Sequence, residues 1–196
     1  MARKTKSLPQ RSPIPTIVGA GITEQFYFSH LKSILGCQVK IRPRFFGQED
    51  IFQLSKKIEA VLNEGGIAIA VFDADVAYTN REERDKLAAL RKRYENNTRV
   101  ILCDSMPSIE YWFLLHFANV HRLFTTSESV TKELSKHLPL YEKTTRYLSN
   151  PAWVAQLSSD GKIKTALQNA SKHETGQSYT KIPRAIGVIM PAGELT

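Results

Sequence analysis

Residues 67–75 read Ile-Ala-Ile-Ala-Val-Phe-Asp-Ala-Asp, an uninterrupted apolar run that ends in two acidic residues. Continuous apolar segments rich in β-branched side chains are typical of central strands in parallel sheets, because helices cover both faces of such strands. The segment Ile67–Phe72 (IAIAVF) therefore predicts a buried strand, with Asp73 and Asp75 just beyond its carboxyl end.

Strand and helix patterns alternate upstream of this strand. A short apolar run over 15–18 predicts a first strand, and the helical spacing of the apolar residues that follow predicts a helix that Thr23 can cap. Alternation over 37–45 predicts a further strand, and Pro43, which cannot donate to a central ladder, indicates either an edge strand or a strand end. Apolar spacing over 48–62 predicts a second amphipathic helix, which Gly65-Gly66 ends.

The same alternation continues downstream. We predict a charged helix over 80–94, a short buried strand over 99–103 and an apolar, aromatic helix over 108–117. Repeated strand–helix order favours an α/β fold, with an open, mostly parallel, Rossmann-like sheet and helices on both faces.

The domain prediction has two parts. Residues 1–13 are predicted to be a basic, flexible arm, and 14–196 a single α/β domain. Within that domain, 14–119 form the core and 120–196 a mainly helical extension. Helical character is seen over 128–140, 141–149 and 160–173, and 179–190 is predicted to be a final helix or strand.

Composition narrows the class of protein. The chain has 196 residues, of which 42% are hydrophobic and 23% charged, as is ordinary for a globular domain. No apolar run approaches the roughly 20 residues that cross a bilayer, and residues 1–13 lack the apolar core of a secretory signal. We expect a cytoplasmic protein without a membrane partner. Cys37 and Cys103 form no CxxC pair, which argues against structural zinc.

The net charge of +8 favours a polyanionic partner such as nucleic acid. Basic residues cluster at Lys40, Arg42 and Arg44, beside two phenylalanines that could stack on bases. A later basic and aromatic stretch contains Lys181 and Arg184. These five residues are the predicted nucleic-acid contacts; solvated basic faces, acidic-membrane contact and plain solubility are the alternatives.

Asp73 and Asp75 are the candidate metal ligands. Residues i and i+2 of a strand point to the same face, and open parallel sheets bind ligands beyond the carboxyl ends of their strands. Two carboxylates there repel each other unless a cation lies between them or one is protonated. Oxygen ligands suit Mg²⁺ or Mn²⁺. The alternative is that both are loop or helix-cap aspartates.

Other acids and one histidine are weaker candidates. Glu24 falls where the helix dipole favours an ordinary first-turn acid, and Asp104 resembles a cap for the next helix. Glu110 lies among aromatic residues and needs a partner, either a functional one or an internal salt bridge. His116 lies on the same apolar segment, where a hydrogen-bonded core histidine is the common alternative to a ligand or base.

Three segments taken in order resemble the RloB-like family. They are residues 19–28 (GAGITEQFYF), 72–75 (FDAD) and 105–117 (SMPSIEYWFLLHF), with weaker agreement near Tyr179-Thr180. The resemblance implies a relative of the Toprim fold and a metal-dependent nuclease of bacterial restriction or anti-phage loci. An AAA- or ABC-type ATPase is implied as partner. It assigns Asp73 and Asp75 to the metal and gives Glu110 a supporting role.

The chain departs from the family pattern at Ala20. The family usually has Glu-Gly where this chain has Ala20-Gly21, and the missing acid matches the Toprim glutamate. We hypothesise that this chain is a catalytically inactive variant. The alternatives are a natural non-catalytic binder, or an enzyme in which Glu24 takes over. The candidate catalytic positions are therefore Ala20 (glutamate expected), Glu24, Glu110 and His116.

Two rival functions remain open. The first is a non-catalytic module that binds nucleic acid or nucleotides and signals to an ATPase. The second is a phosphatase-like enzyme with Asp73 as nucleophile, since a DxD after a buried strand also begins such sites.

Overall fold

The computed structural model describes residues 13–19, 21–42, 50–172 and 177–190. The strands in this part of the chain are β1 (Thr16–Val18), β2 (Lys40–Ile41), β3 (Ala68–Asp73), β4 (Val100–Met106) and β5 (Tyr179–Thr180). They form an open sheet in the order β2-β1-β3-β4-β5. The first four are parallel, and β5 runs antiparallel to β4. The predicted α/β class with an open, mostly parallel sheet is confirmed.

The helices connect the strands and form the extension. They are α1 (Ile22–Leu35), α2 (Ile51–Asn63), α3 (Asp75–Thr79), α4 (Arg81–Tyr94), α5 (Glu110–Leu114), α6 (Ser127–Leu134), α7 (Thr145–Leu148), α8 (Ala152–Ser158), α9 (Lys162–Ala170) and α10 (Ile182–Ile189). In the described residues, none of them is both long and apolar enough to cross a bilayer.

Two hydrophobic cores lie on the two faces of the sheet. Successive side chains of a strand point to opposite faces. Accordingly, Ile69 and Val71 of β3 join the core formed with α1 and the helices after β4, whereas Ala68 and Ala70 pack with α2 and α4. Helices thus cover both faces, as the apolar run predicted.

The first core is the larger and includes the C-terminal half of the chain. Trp112, Phe113 and Trp153 are buried there together with residues of α6, α9 and α10. Because α10 packs against β4 and α8 against α1, the extension covers one face of the sheet and shares its core.

Several predicted boundaries differ from the structure. β3 includes Asp73, and β4 continues beyond Cys103 to Met106, so that Asp104 is a buried strand residue and no helix cap. The apolar helix predicted over 108–117 is only the short α5. Gly21 is the N-cap of α1, with no side-chain capping bond, so the Thr23 cap is wrong.

The edge strand predicted over 37–45 is described only at Lys40–Ile41. Residues 1–12, 43–49, 173–176 and 191–196 lie outside the described residues, and so does Ala20.

Candidate functional site

A cleft of about 570 Å³ opens at the carboxyl ends of β1 and β3. Its walls come from the β1–α1 turn, the start of α2, the end of β3, and α3 with the start of α4. The acidic residues lining it are Glu24, Asp50, Asp73, Asp75 and Glu83. In the described part of the chain no lysine or arginine lines this cleft, which makes it strongly electronegative.

Asp73 is an acid of the cleft with a strongly perturbed pKa. It is the last residue of β3, paired in register with Ser105 of β4. Loss of hydration and then the negative charges of Glu24, Glu110 and Asp75 raise its pKa well above the ordinary value, against a smaller opposing effect of Lys143. By its solvent-accessible surface the Asp73 side chain is nonetheless exposed at the mouth of the cleft. We therefore place more weight on the neighbouring negative charges than on the loss of hydration.

Asp75 also lines this cleft, but it lies in a different element from the one that the sequence predicted. β3 ends at Asp73, and Ala74 still donates its N–H to the carbonyl of Ser105 at 2.8 Å. Asp75 is then the first residue of α3, and its Oδ1 accepts from the N–H of Val76 at 2.8 Å. The two aspartates are close because a strand end adjoins a helix start. The premise that they alternate along one strand was wrong.

Glu24 lies in the first turn of α1, largely buried at 8% exposure, and lines the cleft. The chain reaches α1 through Gly19, whose φ of 79° lies in the left-handed region that favours glycine. Gly19 and Gly21 both line the cleft. Position 20 joins these two glycines, although Ala20 itself lies outside the described residues.

Glu110 is held behind the cleft by three partners. It begins α5 and is only 1% exposed. Its carboxylate accepts hydrogen bonds from Ser108 Oγ at 2.5 Å and from Tyr141 Oη at 2.8 Å, and it forms an ion pair with Lys143 Nζ at 3.0 Å. These contacts satisfy the buried charge, which still raises the pKa of Asp73.

Tyr141 and Lys143 are members of the site that sequence reasoning missed. Burial, followed by the charges of Glu110 and Glu24, raises the pKa of Tyr141 far above its ordinary value. Lys143 is 42% exposed and lowers the pKa of Asp73. Both lie in the extension, in the short Tyr-Glu-Lys segment 141–143. A tyrosine and a lysine there gave no pattern that linked them to Glu110, which lies 31 residues before Tyr141 in the sequence.

His116 is a core residue in the structure. It is buried, its Nδ1 lies 2.9 Å from the carbonyl oxygen of Trp112, and its ring packs edge-on against the Trp112 indole. Burial lowers its pKa to about 4, so the ring is neutral at pH 7. Among the described residues it does not line the cleft.

The predicted nucleic-acid contacts lie at opposite edges of the sheet. Lys40 lies in β2, and Arg42 directly follows this strand. Arg42 forms an ion pair with Glu64 at 2.5 Å. Lys181 follows β5 and forms an ion pair with the buried Asp104 at 2.9 Å, whereas Arg184 is exposed on α10. Arg44 lies outside the described residues. The described members of the two groups therefore lie in or close to β2 and β5, the two outer strands of the sheet.

The residues present fit a sparsely coordinated metal better than a preformed cage. Across 13–19, 21–42, 50–172 and 177–190, no group of three or more His, Cys, Asp and Glu side chains is arranged to hold a metal ion. Mg²⁺, however, is commonly held by one or two carboxylates completed by water and substrate phosphates. Asp73 and Asp75 supply such a pair, and a cation would relieve the repulsion that raises the pKa of Asp73.

The fold is that of an α/β protein with an open, mostly parallel sheet, and its acidic cleft lies at the carboxyl ends of the strands, where ligands bind in proteins of this class. The family model described as RloB-like protein matches residues 16–187. The chain therefore belongs to the RloB-like family, which confirms the resemblance seen in the sequence. Neither the curated proteins nor the solved structures contain a match.

Proposed function

We propose that this protein carries the site of a Mg²⁺- or Mn²⁺-dependent nuclease, in which Asp73 and Asp75 hold the metal. The observation that carries the proposal is the crowding of carboxylates around Asp73: loss of hydration and the negative charges of Glu24, Glu110 and Asp75 together raise its pKa. Five acidic side chains line the cleft, with no lysine or arginine among the described residues that line it, and protons or a metal ion would neutralise this charge.

The bound metal would polarise the scissile phosphate and stabilise the departing oxygen. The other roles in the proposed site belong to acidic side chains of the protein. Glu110, fixed by Ser108, Tyr141 and Lys143, keeps a negative charge behind Asp73. Glu24 lines the cleft as the acid that could serve as base or further ligand in place of a glutamate at position 20.

Nucleic acid is the proposed substrate. The net charge of +8 favours a polyanion, and a divalent metal bound by carboxylates suits phosphodiester hydrolysis. The family resemblance implies a role in bacterial anti-phage defence beside an ATPase partner, and we extend the proposal to that role. DNA, RNA and tRNA are all candidate substrates.

Alanine at position 20 is proposed to leave the site inactive or nearly so. The position lies between Gly19 and Gly21, both of which line the cleft. The family resemblance implies a glutamate at this position, and alanine has no carboxylate with which to bind a metal or act as a base.

The same alanine favours a second candidate function, a non-catalytic module that binds nucleic acid or nucleotides and signals to an ATPase. Glu110 supports this alternative too, because within the described residues its buried carboxylate is bound by protein side chains, those of Ser108, Tyr141 and Lys143. Such a module would bind its ligand without needing Asp73 or the metal.

A nuclease panel on the Ala20→Glu protein separates the two functions. DNA, RNA and tRNA would be incubated with Mg²⁺ or Mn²⁺, with Ala20→Gln as the uncharged control and Asp73→Asn, Asp75→Asn in the same background. We expect cleavage by Ala20→Glu only, and its loss in the double variant. The nuclease proposal would be wrong if Ala20→Glu cleaved none of the substrates and if nucleic-acid binding depended neither on the metal nor on Asp73 and Asp75.

A further inference from the structure

A second cavity of about 500 Å³ adjoins the acidic cleft. Ala77 and Leu87 line both spaces, so that α3 and the start of α4 form a shared wall between them. The chemistry of the second cavity is opposite to that of the first. Its polar lining consists of arginine and tyrosine side chains, and no acidic residue of the described chain lines it. The lining residues used below are Tyr78, Arg84, Arg91 and Tyr179.

Arg91 brings an incompletely neutralised charge to this cavity. Its Nη2 donates to Oδ2 of Asp104 at 2.5 Å and to Tyr179 Oη at 3.2 Å. Asp104 is fully buried and is also paired with Lys181 at 2.9 Å. One carboxylate thus faces two cations, which leaves a positive charge in excess. In addition, the buried Nε of Arg91 has no hydrogen-bond partner in the described part of the protein.

Arg84 contributes a second positive charge. Its Nε donates to the carbonyl oxygen of Ala77 at 3.3 Å, and its Nη2 to that of Tyr78 at 2.9 Å. These neutral acceptors fix the guanidinium against α3 without neutralising it. Within the described residues Arg84 forms no ion pair with a carboxylate, so its charge remains available to an anion.

Tyr78 supplies an exposed aromatic surface at the same cavity. It is 49% exposed, and it lies on α3, where its carbonyl oxygen accepts the hydrogen bond from Arg84. Aromatic rings beside positive charges are the arrangement by which proteins bind single-stranded nucleic acid, with bases stacked on the rings and phosphates on the cations.

We propose that this cavity binds one nucleotide of a single-stranded nucleic acid, with its phosphate on Arg84 and Arg91 and its base against Tyr78. The strand would continue across Ala77 and Leu87 toward Asp73, and in this respect the inference rests on the proposed function. The substrate class would then be single-stranded nucleic acid, and residues outside the acidic cleft would recognise it.

The test measures binding without metal or cleavage, so that it is independent of the nuclease activity. Fluorescence anisotropy of a fluorescein-labelled oligothymidylate would be recorded in EDTA over a range of salt concentrations. For Tyr78→Ala we expect affinity to fall roughly tenfold, as for the loss of one stacked base. For Arg84→Gln we expect the slope of log affinity against log salt to decrease by about 0.7, as for the loss of one phosphate contact to a single strand.

Arg99→Gln is the matched control. Arg99 is also an exposed arginine that donates to a backbone carbonyl, that of Leu62 at 3.3 Å, but it directly precedes β4 at the opposite end of the sheet. We expect less than about a twofold change in affinity for this variant, as for a charge distant from the binding site. The Asp73→Asn, Asp75→Asn protein should bind the oligonucleotide at least as well as the wild type.

Three results would overturn the inference. The first is no binding of the oligonucleotide by the wild-type protein. The second is the same loss in Arg99→Gln as in Tyr78→Ala and Arg84→Gln. The third is displacement of the probe by thymidine monophosphate at an equal concentration of nucleotide, which would indicate a site for free nucleotides. Because Tyr78 is exposed, its alanine variant should keep the wild-type melting temperature, and loss of binding in it is not attributable to unfolding.

Discussion

The hydroxyl of Tyr141 donates a hydrogen bond to Oε1 of Glu110 across 2.8 Å, and both residues are buried. This contact joins the helical extension to the acid behind Asp73. Since burial and the charge of Glu110 raise the pKa of Tyr141, the hydroxyl stays protonated at neutral pH and remains a donor. The extension therefore helps to hold the site together in addition to covering the sheet.

We expect Tyr141→Phe to reduce the free energy of unfolding by about 1–3 kcal/mol, because it removes one of the donors to a buried carboxylate. Urea unfolding at pH 7 would measure the change. Tyr147→Phe is the matched control, since Tyr147 packs against Tyr141 but its hydroxyl forms no hydrogen bond within the described residues. Equal effects of the two substitutions would mean that the hydrogen bond to Glu110 contributes nothing.

Asp73→Asn should stabilise the metal-free protein at neutral pH, by about 0.5–2 kcal/mol, which is the usual gain from relieving unfavourable charge at a functional site. The amide cannot repel Glu24, Glu110 and Asp75, whose charges raise the pKa of Asp73. Thermal unfolding in EDTA would measure the gain. Asp85→Asn, at an exposed position on α4, controls for the removal of one negative charge elsewhere.

The same variant should show a defined pH dependence. Because the pKa of Asp73 is higher in the folded protein than in the unfolded chain, the folded state binds the proton more tightly. Its contribution to stability is complete below the ordinary aspartate pKa and is lost as pH rises through the raised value. The advantage of Asp73→Asn over the wild type should therefore grow across that range. An advantage that is constant with pH would contradict the assignment of the raised pKa to Asp73.

The sequence was a good guide to the sheet because the sheet depends on local pattern. The apolar run before Asp73 could only be a strand buried on both faces, and the alternation of strands and helices around it left few arrangements. The ends of elements were harder to predict. Asp104 looked like a helix cap because an isolated acid is usually solvated, whereas tertiary contacts with Arg91, Lys181 and Tyr179 bury it within β4.

The candidate site was only partly predictable for a similar reason. That Glu24 and Asp75 both line a cleft with Asp73 follows from the rule that ligand sites lie at the carboxyl ends of parallel strands. The roles of Tyr141 and Lys143 depend on how the extension folds back over α5, which no short motif encodes. Glu110 was recognised as needing a partner, but its partners could be identified only in three dimensions.

Lys181→Gln and Arg184→Gln should differ in their effect on the free energy of unfolding, although both residues belong to the same basic stretch. Burial acts to raise the pKa of Asp104, but Lys181 and Arg91 outweigh it, and the pKa lies below its ordinary value. We expect Lys181→Gln to lower the free energy of unfolding by about 1–3 kcal/mol, because it removes a charged partner of a buried carboxylate. Arg184→Gln should be nearly neutral.

Acid unfolding would check the cause of the Lys181 effect. A depressed pKa contributes stability that is present above the unfolded value and lost as pH falls through the folded value. Without Lys181 the pKa of Asp104 rises, so acid unfolding of Lys181→Gln should begin at higher pH than that of the wild type or Arg184→Gln. Coincident acid transitions in all three proteins would show that Lys181 does not stabilise the Asp104 charge.

Divalent metal should stabilise the wild-type protein and not the Asp73→Asn, Asp75→Asn variant. A ligand that binds only the folded state at ten times its Kd adds about 1.4 kcal/mol, or roughly 3–6 °C in Tm for a chain of this size. Scanning calorimetry with Mg²⁺ and Mn²⁺ would measure the shift, with Asp85→Asn as the control that should respond like the wild type. Protons compete with metal for Asp73, whose pKa is raised by burial and neighbouring acids, so the shift should shrink as pH falls toward that raised value. A metal-induced rise of equal size in the double variant would place the bound ion somewhere other than at Asp73 and Asp75.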